Sequence, residues 1–373
     1  FWRGRRVLLT GHTGFKGSWM ATWLRLLGAR VTGFALPLEA GPSLFREAGV
    51  ERGITSLSGD VRDPAAVRGA VRAGDPEVVF HLAAQPLVRR GYRDPVGTFA
   101  TNVMGTVHLL DALRRAPHVR AVVVVTSDKC YENREREWGC REDEPMGGLD
   151  PYSASKGCAE LAAAACRASF FSGAEGRTVG VATARAGNVF GGGDWAEDRV
   201  VPDLVRALAA RRPVVLRAPA SVRPWQHVLE PLRGYLLLAE RLWRDPDGFG
   251  GGWNFGPRDD DAVPVLELAG RFAHHWGGGE AELRPDPAAG HEAGALRLDC
   301  ARAAARLGWR PVLPLDEGVA QTVRWYRAHA EDPASLPALT EAQVRAYAAR
   351  AAPGDAPPRI RIVARAPAVA AAP

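Results

Sequence analysis

Apolar residues in the first half of the chain alternate between short unbroken runs and stretches with helical spacing. Val7-Leu8-Leu9 is a short apolar run ending in Thr10-Gly11, and a periodic segment from Trp19 to Leu27 follows, closed by Gly28. This pattern predicts a strand and then a helix. Val31 to Phe34 reads as a second strand, and Leu57 precedes Gly59-Asp60 at the end of a third. Pro64 opens a helix at its first turn, where its missing N–H costs nothing. Val78 to Leu82 reads as a buried strand and Val96 to Arg115 as a helix. Val122 to Thr126 is four valines and a threonine, as expected of a central strand covered on both faces. Tyr152 to Phe171 predicts a helix and Val179 to Ala184 another strand. Such alternation implies right-handed crossovers and an α/β fold with a doubly wound parallel sheet.

From about Gly187 the texture changes. Gly191-Gly192-Gly193-Asp194-Trp195 is a loop, Val200 to Ala210 a helix, Val214 to Leu216 a short strand, and Val228 to Trp243 a long helix. Trp253-Asn254-Phe255-Gly256 resembles a strand returning to the large sheet, and Val265 to Trp276 and Leu315 to Arg327 are amphipathic helices. The stretch from Glu331 is rich in alanine and proline and reads as a tail, largely disordered at its end.

Composition narrows the class. Hydrophobic residues make up 46% and charged residues 24% of 373, which is ordinary for a soluble globular protein. No apolar stretch approaches the ~20 residues of a membrane span. Phe1-Trp2-Arg3-Gly4-Arg5-Arg6 leads into the first strand with no signal-peptide core. Five scattered cysteines without CxxC spacing point to a reducing cytoplasm and against a disulfide framework or a cysteine metal site. His274-His275 has no acidic or thiol partner nearby in sequence and reads as helix surface, so no metal is expected. The formal charge of +6 comes from arginines spread along the chain, which argues against a nucleic-acid partner.

Gly11-His12-Thr13-Gly14-Phe15-Lys16-Gly17 lies between the first strand and the first helix. Glycines there permit a tight turn, close approach of backbone to a pyrophosphate and close helix–strand packing, while the helix N-terminus offers N–H donors. The whole loop is therefore expected to hold a dinucleotide. Asp60-Val61 is placed for the adenine edge, and Leu82-Ala83-Ala84-Gln85 for lining the cofactor. Thr101, in the helical stretch after it, counts as a further cofactor contact. The acid that usually ends the second strand is missing, since the chain reads Gly33-Phe34-Ala35. That leaves NAD against NADP open on residues alone, with His12 and Lys16 as candidates to contact phosphate or ribose.

Two further segments carry chemistry. Tyr152 and Lys156 are four apart at the start of a helix, so a phenol and an ammonium share one face. Ser127-Asp128-Lys129 ends the valine strand with a hydroxyl, a carboxyl and a second amine. A nicotinamide enzyme that only oxidises an alcohol needs the Tyr, the Lys and a hydroxyl. The extra acid and amine suit an enzyme that also eliminates water.

With these segments together, the chain resembles the extended short-chain dehydrogenase/reductases and, among them, the nucleotide-sugar 4,6-dehydratases. The string Thr126-Ser-Asp-Lys-Cys-Tyr-Glu-Asn133, the glycine loop and Arg223-Pro-Trp-Gln-His227 are similar to the branch that acts on CDP-glucose. Other branches carry Glu where this chain has Lys129. The resemblance spans about residues 2 to 328. It implies a Rossmann domain over 1–186 plus about 225–256, and a smaller C-terminal α/β substrate lobe over 187–224 and 257–330. It implies NAD as cofactor, CDP-glucose as substrate, and a homodimer or higher oligomer built on the 96–115 and 152–171 helices. Catalytic roles fall to Ser127, Asp128, Lys129, Tyr152 and Lys156. Tyr152 and Lys156 also touch the cofactor, Asp128 is the acid, and Lys129 is either the C5 base or a residue that orients a water or pairs with Asp128. Asn188 and Arg223 match diphosphate positions, Arg199 and Leu216 flank the cytosine, and Gln85, Tyr92, Asp194 and His291 are weaker substrate contacts. A 4-epimerase on the same fold, or a non-catalytic dinucleotide sensor, are the rival readings.

Overall fold

A computed structural model describes residues 1–134, 136, 138–173, 177–284 and 296–352. The expected alternation is present: β1 (Arg6–Thr10), α1 (Phe15–Leu26), β2 (Arg30–Ala35), α2 (Leu44–Glu47), β3 (Thr55–Ser58), α3 (Pro64–Gly74) and β4 (Val78–His81). There follow α4 (Val88–Arg93), α5 (Pro95–Phe99), α6 (Gly105–Arg114), β5 (Ala121–Val125), α7 (Pro151–Cys166) and β6 (Gly180–Arg185). The second half holds β7 (Val189–Phe190), α8 (Val200–Ala209), β8 (Val214–Leu216), β9 (Val222–Pro224), β10 (Gln226–His227) and α9 (Leu229–Arg244). Then come β11 (Gly251–Asn254), β12 (Ala262–Pro264), α10 (Val265–Trp276), β13 (Ala281–Leu283), α11 (Ala301–Leu307), α12 (Leu315–Glu331) and α13 (Leu336–Ala351).

Seven strands form one parallel sheet in the order β11-β6-β5-β4-β1-β2-β3. β5 is buried along its whole length, as its run of valines requires of a strand covered by helices on both sides. The chain order reverses between β1 and β4, and the crevice at that switch is where an open α/β sheet accepts a ligand. Three two-stranded pairs, β10-β7, β12-β9 and β13-β8, lie beyond the large sheet. The segment after α9 does return to it, as β11 beside β6.

Two features depart from the periodicity. The helix expected over 96–115 is interrupted by a π-helical turn at Ala100–Met104, and the one over 152–171 ends in another at Arg167–Phe171. The stretch read as a tail from Glu331 begins with ordered structure instead. α13 buries Leu336, Thr340, Val344 and Tyr347, and Tyr347 packs edge-on to Trp23 of α1 at 5.6 Å between ring centroids. An alanine-rich segment needs only a few large residues at helical spacing to dock in this way. The disorder expected at the very end of the chain falls outside the described residues.

Candidate active site

The glycine loop turns where β1, β2 and β4 end together. Gly11 has φ +73°, and a Cβ there would lie 2.7 Å from the Ala83 nitrogen; a Cβ at Gly17 would lie 2.0 Å from the Gly11 carbonyl oxygen. Only glycine fits either place. Gly14 is the N-cap of α1 and offers no side chain to its first turn, which Phe15 and Lys16 open, so those N–H groups face the crevice uncapped. Thr13 flanks that turn, and Leu82, Ala83 and Ala84 form the facing wall at the end of β4. These residues fit a dinucleotide, its pyrophosphate held by backbone donors at the helix end.

The two polar residues of the loop are not placed as the sequence suggested. His12 is fully buried, and its Nε2 pairs with Ser56 Oγ at 2.7 Å. Its ring lies over Gly33, where a Cβ would come within 2.3 Å of it. Burial pushes its pKa down to about 4, so the ring is neutral and ties β1 to β2 and β3 rather than meeting a phosphate. Lys16 is pulled down to about 8, first by burial and then by the cations Arg199 and Lys156, against Asp128 and Asp194. Its charged neighbours are thus residues of the Ser127–Lys129 turn, α7 and the 194–199 loop.

Other expected cofactor residues are partly committed elsewhere. Asp60 accepts from the Arg62 backbone at 2.8 Å and from its guanidinium at 2.6 Å, which holds its carboxyl below the usual range. Val61 is buried against Gly105 of α6. Gln85 donates to the Leu87 carbonyl at 3.1 Å and to Thr98 Oγ1 at 2.9 Å, and accepts from Leu87 N–H at 2.6 Å. Its side-chain amide therefore shapes the loop after β4. Thr101 sits in the π turn, half-buried, next to Asn102. Asn102 is not singled out by the sequence: it bonds both backbone groups of Gln85 and donates to Ser155 Oγ at 2.8 Å, joining the β4 loop to α7. The polar row Thr98, Asn102 and Thr106 at a spacing of four, all buried, is the signal that could have found it.

Ser127, Asp128 and Lys129 do not continue the strand as an extended chain end. Asp128–Cys130 is a turn of 3₁₀-helix with Ser127 as its N-cap. Ser127 Oγ accepts from the Lys129 N–H at 3.2 Å and donates to Asp128 Oδ1 at 2.9 Å. Such a turn steps successive side chains by about a third of a revolution, so the acid and the amine still point different ways. Asp128 is 2% exposed, and its Oδ2 is buried without a hydrogen-bond partner. A Cβ on Gly187 would lie 1.7 Å from that oxygen, so the glycine is what lets the carboxylate sit there.

Asp150 caps α7, accepting from Ser153 N–H at 3.0 Å, and Pro151 fills the first helical position. Tyr152 is thereby fixed in the first turn, with Lys156 one turn on. Both are buried. Burial pushes the Tyr152 phenol up to about 12; the Ser127 hydrogen bond and Arg199 oppose that, while Asp128 reinforces it. Burial brings Lys156 down to about 8, and its Nζ donates to the Val125 carbonyl at 3.2 Å. In the protein alone, burial of the phenol thus outweighs the cations meant to favour phenolate.

The expected substrate residues divide. Asn188 adopts φ +49°, a strained backbone for a non-glycine, three residues after β6 ends at Arg185. Arg199 pairs with buried Asp194 at 3.0 Å, and its charge acts on Tyr152 and Lys16. It therefore lies near Tyr152 and Lys16. Leu216 is 3% exposed, in an apolar cluster that also contains residues of the large sheet. Arg223 stands on β9 and donates to the Val222 carbonyl at 3.0 Å. Tyr92 is exposed on α4, and His291 lies outside the described residues. His275 pairs with Asp316 at 3.1 Å, and among the described residues no group of three His, Cys, Asp or Glu side chains could hold a metal.

Comparison with known proteins agrees with this geometry. The chain is 51% identical over 330 residues to the CDP-glucose 4,6-dehydratase of Salmonella typhimurium, covering 88% of this chain and 92% of that one. It is 32% identical over 336 residues to the dTDP-glucose 4,6-dehydratase of Streptomyces antibioticus, covering 86% and 92%. The crystal structure of Thermus thermophilus UDP-glucose 4-epimerase with NAD superposes with a TM-score of 0.75 at 27% identity, covering 86% and 99%. Residues 7–249 match the model of the NAD dependent epimerase/dehydratase family, and the chain belongs to that family.

Proposed function

We propose that this enzyme converts CDP-D-glucose to CDP-4-keto-6-deoxy-D-glucose and water, a step of deoxysugar formation. The observation that carries this reading is a buried, unpartnered carboxylate oxygen on Asp128 near Tyr152. The identity to a CDP-glucose 4,6-dehydratase supports the choice of nucleotide sugar.

NAD, when bound, supplies the capacity to take a hydride from C4 of the sugar and return it to C6. Tyr152 Oη accepts the proton of the C4 hydroxyl, and Ser127 orients that oxygen. Lys156 and Arg199 favour the phenolate. The resulting ketone acidifies the C5 proton, which Lys129 removes. Asp128 then gives a proton to the C6 hydroxyl as the C6–O bond breaks and water leaves. Asn188 and Arg223 hold the diphosphate; Arg suits it through its planar fork. Residues 1–186 with about 225–256 carry the cofactor, and 187–224 with 257–330 carry the substrate.

The test is incubation of purified protein with NAD and, in turn, CDP-, dTDP-, GDP- and UDP-glucose. Loss of one water from CDP-glucose is the expected result. A product of unchanged mass indicates an epimerase and overturns the proposal, as does preference for another nucleotide.

The assembly we infer is a homodimer. Val96 on α5, Met104 in the π turn and Leu161 on α7 are 78%, 46% and 61% exposed, and these helices are neighbours. A second copy covering them removes that apolar surface from water. Leu161→Asp should then yield monomer by light scattering; an unchanged mass sinks the assignment. No helix among the described residues is long and apolar enough to cross a membrane. The five cysteines are free, which supports a reducing, cytoplasmic location.

A further inference from the structure

Beneath the catalytic turn lies a buried ion pair that the reaction itself does not use. Glu160 on α7 and Arg185 at the end of β6 are 5% and 4% exposed. Arg185 Nε donates to Glu160 Oε1 at 2.9 Å and Nη2 to Oε2 at 2.8 Å, a two-pronged contact. Thr126 Oγ1 donates to Oε1, and Thr183 Oγ1 to Oε2 at 2.6 Å, so the carboxylate has four donors on its two oxygens. That fills its acceptor capacity. The remaining Arg185 nitrogen, Nη1, donates to Tyr131 Oη at 2.6 Å, and Tyr131 Oη donates to Asn254 Oδ1 at 2.7 Å.

The partners of this pair are not scattered. Thr126 immediately precedes Ser127-Asp128-Lys129, and Tyr131 follows Cys130 at the turn's other end. Arg185 leads through Ala186 into Gly187, the residue packed on Asp128 Oδ2. Glu160 is one helical turn past Lys156, on the same face of α7. One carboxylate and one guanidinium thus touch both flanks of the turn, the helix that bears Tyr152 and Lys156, and the strand that backs the acid.

We propose that Glu160 and Arg185 are positioning residues, which fix Asp128 and Lys129 for the elimination step. This rests on the dehydratase reading above. A buried ion pair seldom repays its desolvation in stability, and apolar replacement of both partners is often neutral or stabilising. Its value here lies in directing hydrogen bonds to both ends of a short turn, which apolar side chains do not do.

The experiment uses the enzyme with NAD and CDP-glucose and compares wild type, Glu160→Gln, the double variant E160M/R185M, and Tyr131→Phe. Rates of C4 oxidation are read from reduced cofactor, and elimination from C5 exchange in deuterated solvent and water loss. A displacement of about 1 Å costs on the order of a hundredfold in rate. Glu160→Gln should lower kcat by that order, with the KM for CDP-glucose within about twofold of wild type. Elimination should fall more than oxidation, so reduced cofactor accumulates. The double variant should keep the wild-type melting temperature and remain as impaired. If Glu160→Gln does not fold, the double variant and Tyr131→Phe decide, the latter with the same bias against elimination at smaller size. Normal turnover in the double variant overturns the proposal, and so does an equal loss in both partial reactions. Wild type that fails to dehydrate CDP-glucose refutes the functional reading instead.

Discussion

At the residue scale, the proposed mechanism divides its labour within one short turn. Asp128 and Lys129 are adjacent but occupy different steps of a 3₁₀ turn, so an acid and a base need not compete for one place. Lys129→Met should therefore still oxidise C4 but lose C5 exchange, leaving reduced cofactor on the enzyme. Asp128→Asn should keep exchange and lose product. If Lys129→Met exchanges C5 at the wild-type rate, the base lies elsewhere. Gly187 offers an independent probe, because a methyl there would lie 1.7 Å from Asp128 Oδ2. Gly187→Ala should lower elimination on the order of a hundredfold by pushing the carboxylate aside. Wild-type turnover in that variant would mean Asp128 tolerates the shift and is not the acid. The triplet, the glycine loop and the Tyr152/Lys156 pair are legible in the sequence because each is a local pattern whose spacing sets its geometry. Gly187 is not, since its role depends on a contact across the sheet to a residue far away in the chain. The partners of His12 and Gln85 are not legible for a related reason: Ser56 and Thr98, which hold their side chains, lie elsewhere in the chain.

At the scale of elements, strands and long helices follow from periodicity, while their irregularities do not. The π turn at Ala100–Met104 inserts no helix breaker that a reader would notice. It shows only in what it aims, since Asn102 reaches Gln85 and Ser155 from it. α13 escapes a reading by composition because it looks like a solvated tail, and its anchoring depends on groups from elsewhere. Tyr347 Oη donates to Glu230 Oε2 at 2.6 Å, and the other oxygen of Glu230 accepts from the backbone of Val312 and Leu313. Burial raises the pKa of this carboxyl despite these donors. Tyr347→Phe should destabilise the fold by about 1–3 kcal/mol, because it leaves a buried oxygen short of a donor. Urea unfolding followed by tryptophan fluorescence measures this; a variant as stable as wild type would show that α13 is held by its apolar face alone.

For the whole molecule, the buried histidines set the response to acid. His12 is held down to about 4, and His81 and His227 to about 3, each chiefly by burial. Histidine in the unfolded chain titrates near ~6.5. A folded-state pKa below the unfolded one means that the unfolded chain binds more protons between the two values. The stability these groups confer is complete above about pH 6.5 and is lost as pH falls toward about 4. Glu230, Glu142 and Asp261 shift upward through burial, which acts in the opposite sense. Urea midpoints should therefore drop steadily from about pH 7 to about pH 5; a flat profile would contradict neutral burial of these rings. The order of the strands in the sheet also bears on synthesis. β6 stands beside β5 as soon as it forms, but its outer neighbour β11 comes from Gly251–Asn254, beyond the whole α8–α9 segment. Until that stretch leaves the ribosome, the nascent chain carries a fully formed parallel edge with open amide and carbonyl groups. Such an edge invites pairing with other chains. The enzyme is thus most exposed to aggregation after β6 and before β11 has been made, and a chaperone that holds nascent chains would act on it at that stage.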